Sequence, residues 1–149
     1  MQFIKRWWRI IFPIIIAVII WGFSAQSGDA SDIQSLYFAQ LLGLTNGVTR
    51  KLAHIFLFGL FGYSLSSFTK GLHPETYPTH SMLIYPLIVA TVYGAIDEVH
   101  QLTVAGRSGT VGDVFIDTLA GLSGILVYIA IFCFWRLLRI SIAYNKANH

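Results

Sequence analysis

Four stretches of this chain, residues 8–23, 51–68, 82–102 and 113–135, approach the length and apolarity of a membrane-crossing helix. A hydrocarbon layer of about 30 Å takes roughly 20 mostly apolar helical residues, and within it every backbone polar group must be satisfied internally. The chain is therefore expected to be all-α: a polytopic membrane protein built as a four-helix bundle. Its composition agrees, with 55% hydrophobic, 15% aromatic and only 11% charged residues, a membrane protein's profile. A length of 149 residues suits one domain, taken as 1–149.

The first span follows the basic residues Lys5, Arg6 and Arg9, and Phe23 and Ala25 make a poor small-x-small cleavage site, so it reads as an uncleaved helix. Pro13 and Pro86 are tolerable inside spans because neighbouring helices can satisfy freed backbone groups. Cys133 lies in an apolar run and reads as core. Between spans one and two, "SDIQSLYFAQLLG" sets Ser31 three residues before Gln34, a capping-box spacing, and Ile33, Leu36, Tyr37 and Leu41 recur at helical intervals. A short interfacial helix fits this stretch, as does a packed loop with helical turns. The link "KGLHPETYPTH", with its Gly and two Pro, is expected to hold no regular element.

With four spans both termini share a side. That side carries Lys5, Arg6, Arg9, Lys70, Arg136, Arg139 and Lys146, against Arg50, Lys51 and Arg107 on the other, so both termini are expected in the cytoplasm. Asp29, Asp32, Asp97, Glu98, Asp113 and Asp117 then fall outside and only Glu75 inside. The polar stretch 97–117 joins spans three and four on the outer side.

Ionisable groups near the end of a span are costly against lipid and face a bundle interior or a wet cavity. Asp97, His100 and Gln101 share one helical face, as do Asp113 and Asp117, and Arg50 and His54. Three helices can thus aim polar groups at one outward-facing pocket. One reading makes this a closed ion-pair network, with Arg50, Lys51 and Arg107 neutralising Asp97, Glu98, Asp113 and Asp117. Buried pairs add little stability once desolvation is counted, which favours a functional reading. A further reading has His54, His100 and the four acids holding a divalent metal; the neighbouring cations and the lack of an HExxH pair argue against it, and no cofactor is expected. No Ser nucleophile elbow, P-loop or nucleic-acid-binding basic stripe is present. A proton path is also unsupported, since the acids gather at one end. In "GRSGTVG" the glycines would let backbone N–H groups approach a ligand, although a turn between spans explains any one of them.

"FSAQSG" at 23–28, "RKLAHIFLFGLFG" at 50–62 and "DEVHQLTVAGRSGTVGDVFIDTLAG" at 97–121 resemble, in order and spacing, the signature segments of VanZ-like membrane proteins. The resemblance implies a polar set of Gln26, Arg50, Lys51, His54, Asp97, Glu98, His100, Gln101, Arg107, Asp113 and Asp117. Leu102 and Ala105 depart from it, standing where an aromatic and a proline are common. The family is named for low-level resistance to teicoplanin, a lipid-bearing glycopeptide. Two functions follow as expectations. In one, the pocket is an enzyme site for an envelope lipid or lipid-linked intermediate: Gln26, Arg50, Lys51, His54 and Arg107 hold the substrate, and catalysis falls to Asp97, Glu98, His100, Gln101, Asp113 or Asp117. In the other, the pocket only binds such a lipid or a lipid-tailed antibiotic.

Overall fold

A computed structural model describes residues 2–72 and 80–147. Five helices follow in order: α1 (Gln2–Ser24), α2 (Gly28–Leu42), α3 (Asn46–Leu72), α4 (His80–Gln101) and α5 (Val111–Ala147). No strand occurs among the described residues. The four expected spans are α1, α3, α4 and α5, and most run past the apolar windows. Hydropathy marks only the part that suits lipid, whereas backbone hydrogen bonding carries a helix on into polar residues. Asn46–Leu72, His80–Gln101 and Val111–Lys146 are each long and apolar enough to cross a membrane. Trp8–Ser24 and Gly28–Leu42 meet that test together, as a pair bent by 109°. The protein therefore has three to four membrane-span candidates. The expected irregular link is shorter than its sequence suggested, because Lys70–Leu72 continue α3 and His80 opens α4; the rest, 73–79, lies outside the described residues.

Side-chain pairings fix the helix directions. Tyr93 Oη donates to the Ala17 carbonyl at 2.6 Å and Ser24 Oγ to Asp97 at 2.6 Å, so α1 and α4 run the same way. Lys51 pairs with Asp113, His54 faces Asp117 and Gly62 abuts Gly121, so α3 and α5 also run together. Ser66 Oγ donates to the Met82 carbonyl while Phe58 lies beside Gly94, which sets α3 antiparallel to α4. Consequently the C-terminal ends of α1 and α4 meet the N-terminal ends of α3 and α5.

The core centres on Phe58, which is 0% exposed, with Ile16, Ile20, Phe61, Leu65, Ala90 and Ala120 around it. Its closest approach is the α3–α5 crossing. A Cβ on Gly62 would fall on the Gly121 carbonyl, and one on Gly124 would fall on the Gly59 carbonyl. Small residues let membrane helices gain dispersion from backbone contact, since lipid supplies no hydrophobic drive between them. The outer faces carry exposed apolar side chains, among them Ile14, Val18, Ile88, Val92, Leu126 and Phe134, as helices bounded by hydrocarbon require.

The stretch between spans one and two is helical, not a loop. Its start is corrected, however: Ser27, not Ser31, is the N-cap, and its side chain accepts from the Ala30 N–H at 3.4 Å. Ser31 instead joins Gly28, Ser35 and Ala39 on the buried face, while Ile33, Leu36, Tyr37 and Leu41 point outward. Small side chains inside and apolar ones outside allow α2 to lie close on α3 and leave its apolar side facing outward. Gly43, in the left-handed region at φ 67°, ends the helix.

Candidate functional site

A polar cavity of about 170 Å³ opens where the helix ends meet. Helical spacing on α3 brings Gly47, Arg50, Lys51 and His54 to its wall; α4 contributes Glu98 and Gln101, the following loop Arg107 and Ser108, and α5 Asp113, Ile116 and Asp117.

Its deep side is acidic. Asp117 is 1% exposed; its Oδ1 lies 3.8 Å from His54 Nδ1, and its Oδ2 has no hydrogen-bond partner. Glu98 is also buried, with Oε1 accepting from Gln101 Nε2 at 3.0 Å and Oε2 from the Thr110 N–H at 2.9 Å. The same Gln101 amide donates to Asp97 Oδ2 at 3.0 Å, tying both carboxyls to one side chain. The mouth is different. Lys51 Nζ stands 3.5 Å from Asp113, and Arg50 Nη1 lies 3.1 Å from Asp32 of α2. Thr110 Oγ1 accepts from the Asp113 N–H and donates to its carboxylate, a reciprocal cap on the first turn of α5.

Eight of the eleven sequence candidates line the cavity: Arg50, Lys51, His54, Glu98, Gln101, Arg107, Asp113 and Asp117. Gln26, Asp97 and His100 do not, which corrects the expectation that Asp97 and His100 share it. Their common face on α4 is covered by α1. Ser24 takes Asp97 Oδ2, and the Trp21 ring stacks on His100 with centroids 4.0 Å apart. His100 Nε2, Asp97 Oδ1 and Gln26 Oε1 remain buried without hydrogen-bond partners.

The closed ion-pair network is not formed among the described residues. Asp97 and Glu98 have no cation within 4.0 Å, and Arg50 goes to Asp32. Arg107 pairs with no acid among the described residues. Its Nη2 donates to the Phe23 carbonyl at 2.7 Å and its Nε to the Gln26 carbonyl at 3.1 Å, satisfying acceptors that the end of α1 leaves open. Burial, then the nearby Arg50, lowers its pKa from the usual value, yet an arginine stays charged. The loop is held further by the Gly28 N–H, which donates to the Ala105 carbonyl at 2.9 Å. Gly106 turns there at φ 72°, and a Cβ on Gly28 would strike its carbonyl. Sequence reasoning missed Ser24 and Trp21, the α1 residues behind the cavity, and Asp32. Ser24 stood in "FSAQSG", and Thr110-x-x-Asp113 was legible as a cap.

Beside the cavity runs an apolar groove of about 550 Å³, walled by Phe23, Phe38 and Leu42 on one side and Leu52, Phe56 and Leu57 on the other. Arg50 belongs to the walls of both.

Apolar helices of spanning length, packed through glycine and enclosing buried carboxyls at one end, define a polytopic helical membrane protein with a polar end cavity. The chain belongs to the VanZ/LLP1 family, whose model matches residues 9–135. No curated protein and no solved structure matches it.

Proposed function

We propose that the cavity receives the phosphate-bearing head of an envelope lipid or lipid-linked intermediate while its chain lies in the adjoining groove. The observation that carries this reading is Arg50, which stands at the junction of a polar cavity and an apolar groove. An amphiphile needs such a junction: apolar walls for the tail and a guanidinium that meets phosphate oxygens in a bidentate fork. Lys51, 62% exposed at the side chain and 3.5 Å from Asp113, adds a second cation at the mouth. The Lys and Arg asymmetry supports a cavity on the outer face, with both termini cytoplasmic. A lipid-tailed glycopeptide such as teicoplanin has the same two-part character, and low-level resistance follows from its capture or from altered envelope lipid.

In the enzyme form of this reading, the buried carboxyls Glu98 and Asp117 that line the cavity serve as general base or acid on the head group. The purified protein in detergent should retain a polyprenyl phosphate and pass the matching neutral polyprenol, and Arg50→Met should abolish the difference. Equal retention of the two lipids, or an unchanged preference in Arg50→Met, would overturn the reading. Radiolabelled head groups returned altered would mark an enzyme; returned intact, a binder.

A further inference from the structure

The deep side of the cavity presents a charge problem that its own cations do not solve. Glu98 and Asp117 at its wall are buried, at 5% and 1% exposure, and Asp97, outside the cavity but tied to it through Gln101, is 0% exposed. The cavity's stronger cations are committed elsewhere: Arg50 to Asp32, Lys51 to Asp113 at the mouth, and Arg107 to the carbonyls of α1. Only His54 stands against Asp117. Buried carboxylates left without counter-charge are costly, so such a group is paired, protonated or coordinated to a metal.

The positions of three of these groups suit the last of those states. One ligand atom each from His54, Glu98 and Asp117 lies within 4.8 Å of the other two, a span that a single cation bonded to all three can close with small side-chain adjustment. Independently, Asp117 Oδ2 is buried at the cavity wall and has no hydrogen-bond partner. Glu98 is held by Gln101 and by the Thr110 N–H, one bond to each oxygen, which orients it and leaves each oxygen a free lone pair. Such outer partners commonly fix ligand orientation at metal sites. The cavity supplies room for water to complete the coordination.

We infer that His54, Glu98 and Asp117 form a binding site for one divalent cation. One imidazole nitrogen and two carboxylates suit a first-row ion that accepts mixed nitrogen and oxygen ligands, such as Mn²⁺ or Zn²⁺. The ion offsets the charges of Glu98 and Asp117 and turns the inner cavity from a surface that repels phosphate into one that attracts it. The site stands without the lipid reading and is tested without lipid.

Full-length protein in detergent, stripped with a chelator, is titrated with Mn²⁺ while the free ion is followed by electron paramagnetic resonance. One tight Mn²⁺ per chain is expected. Asp117→Asn and Glu98→Gln should each weaken it at least about tenfold, whereas Asp29→Asn, an exposed acid on α2, should leave it unchanged. Electron spin-echo spectra of the wild-type protein should also show modulation from a bound imidazole nitrogen, lost in His54→Gln. This wild-type signature holds even where a variant fails to fold. Absence of stoichiometric binding to the wild type, equal binding by all the variants, or bound Mn²⁺ without nitrogen modulation would overturn the site.

Discussion

Replacing Gly62 with alanine tests the α3–α5 crossing on which the cavity rests. The added Cβ would sit on the Gly121 carbonyl, a backbone atom that cannot swing aside as a flexible side chain can. The two helices must therefore part, giving up dispersion along the whole contact from Gly59 to Gly124. Overpacking a tight core costs about 1–3 kcal/mol, and a backbone obstacle places this change toward the upper end. For a chain of this size, 2 to 3 kcal/mol corresponds to a drop of roughly 4 to 12 °C in Tm. Gly22→Ala provides the opposite sign. Nothing lies within 4 Å of a Cβ there, and alanine in a helix is favoured over glycine by about 0.5–1 kcal/mol. Thermal unfolding of both variants in one detergent, followed by circular dichroism, should show Gly62→Ala below and Gly22→Ala at or above the wild type. A Gly62→Ala protein that melts with the wild type, or a matching fall in Gly22→Ala, would refute the tight crossing.

Arg107→Lys keeps the charge but removes the fork that reaches both Phe23 and Gln26, so one of two charge-assisted bonds is lost; partial exposure holds the expected cost to about 1–2 kcal/mol, read as a lower Tm. If the melt is unchanged while phosphate-lipid retention is lost, the fork serves the ligand and not the α1 corner. Ser24→Ala removes a buried donor from Asp97 Oδ2 and should destabilise by about 1–3 kcal/mol in the same melt. Asp32→Ala breaks a half-exposed pair with Arg50 and should alter stability by less than about 1 kcal/mol, so a large loss would show that this pair holds α2 onto α3. Reporter fusions should place the C-terminus in the cytoplasm; an active periplasmic-type reporter after His149 would invert the orientation.

The spans were legible because apolar length is a local property, as was the helix between α1 and α3 from the spacing of Ile33, Leu36, Tyr37 and Leu41. What periodicity cannot say is which neighbour covers a face. Asp97 and His100 share a face with Gln101, yet α1 closes over the first two while Gln101 turns toward α3 and α5. The same limit hid the role of Arg107. Its charge suggested a carboxylate partner, whereas the acceptors it meets are carbonyls exposed only because α1 ends beside the loop. Asp32 escaped the candidate set because its link to Arg50 depends on how α2 folds back. On α3 and α5, by contrast, helical spacing is enough to bring Arg50, Lys51, His54, Asp113 and Asp117 to one cavity. Lys51 with Asp113 and His54 with Asp117 follow once two parallel helices share a register, and glycines fix that register.

The parallel pairing of α3 and α5 also sets an order of assembly. These helices are separated in the chain by the whole of α4, so His54 waits without Asp117 until the last helix has been synthesised and has slid into place. The corner between α1 and α2 waits likewise for Ala105, whose carbonyl accepts from the Gly28 N–H, and for Arg107, which donates to the Gln26 carbonyl, both made long after their partners. Synthesis proceeds from the N-terminus, at about 5–20 residues per second, so the first helices stay provisional for seconds after they emerge. A nascent chain halted before α5 would hold neither the glycine crossing nor the paired His54. The polar cavity is therefore the final product of insertion, and its completion reports that the entire bundle has closed.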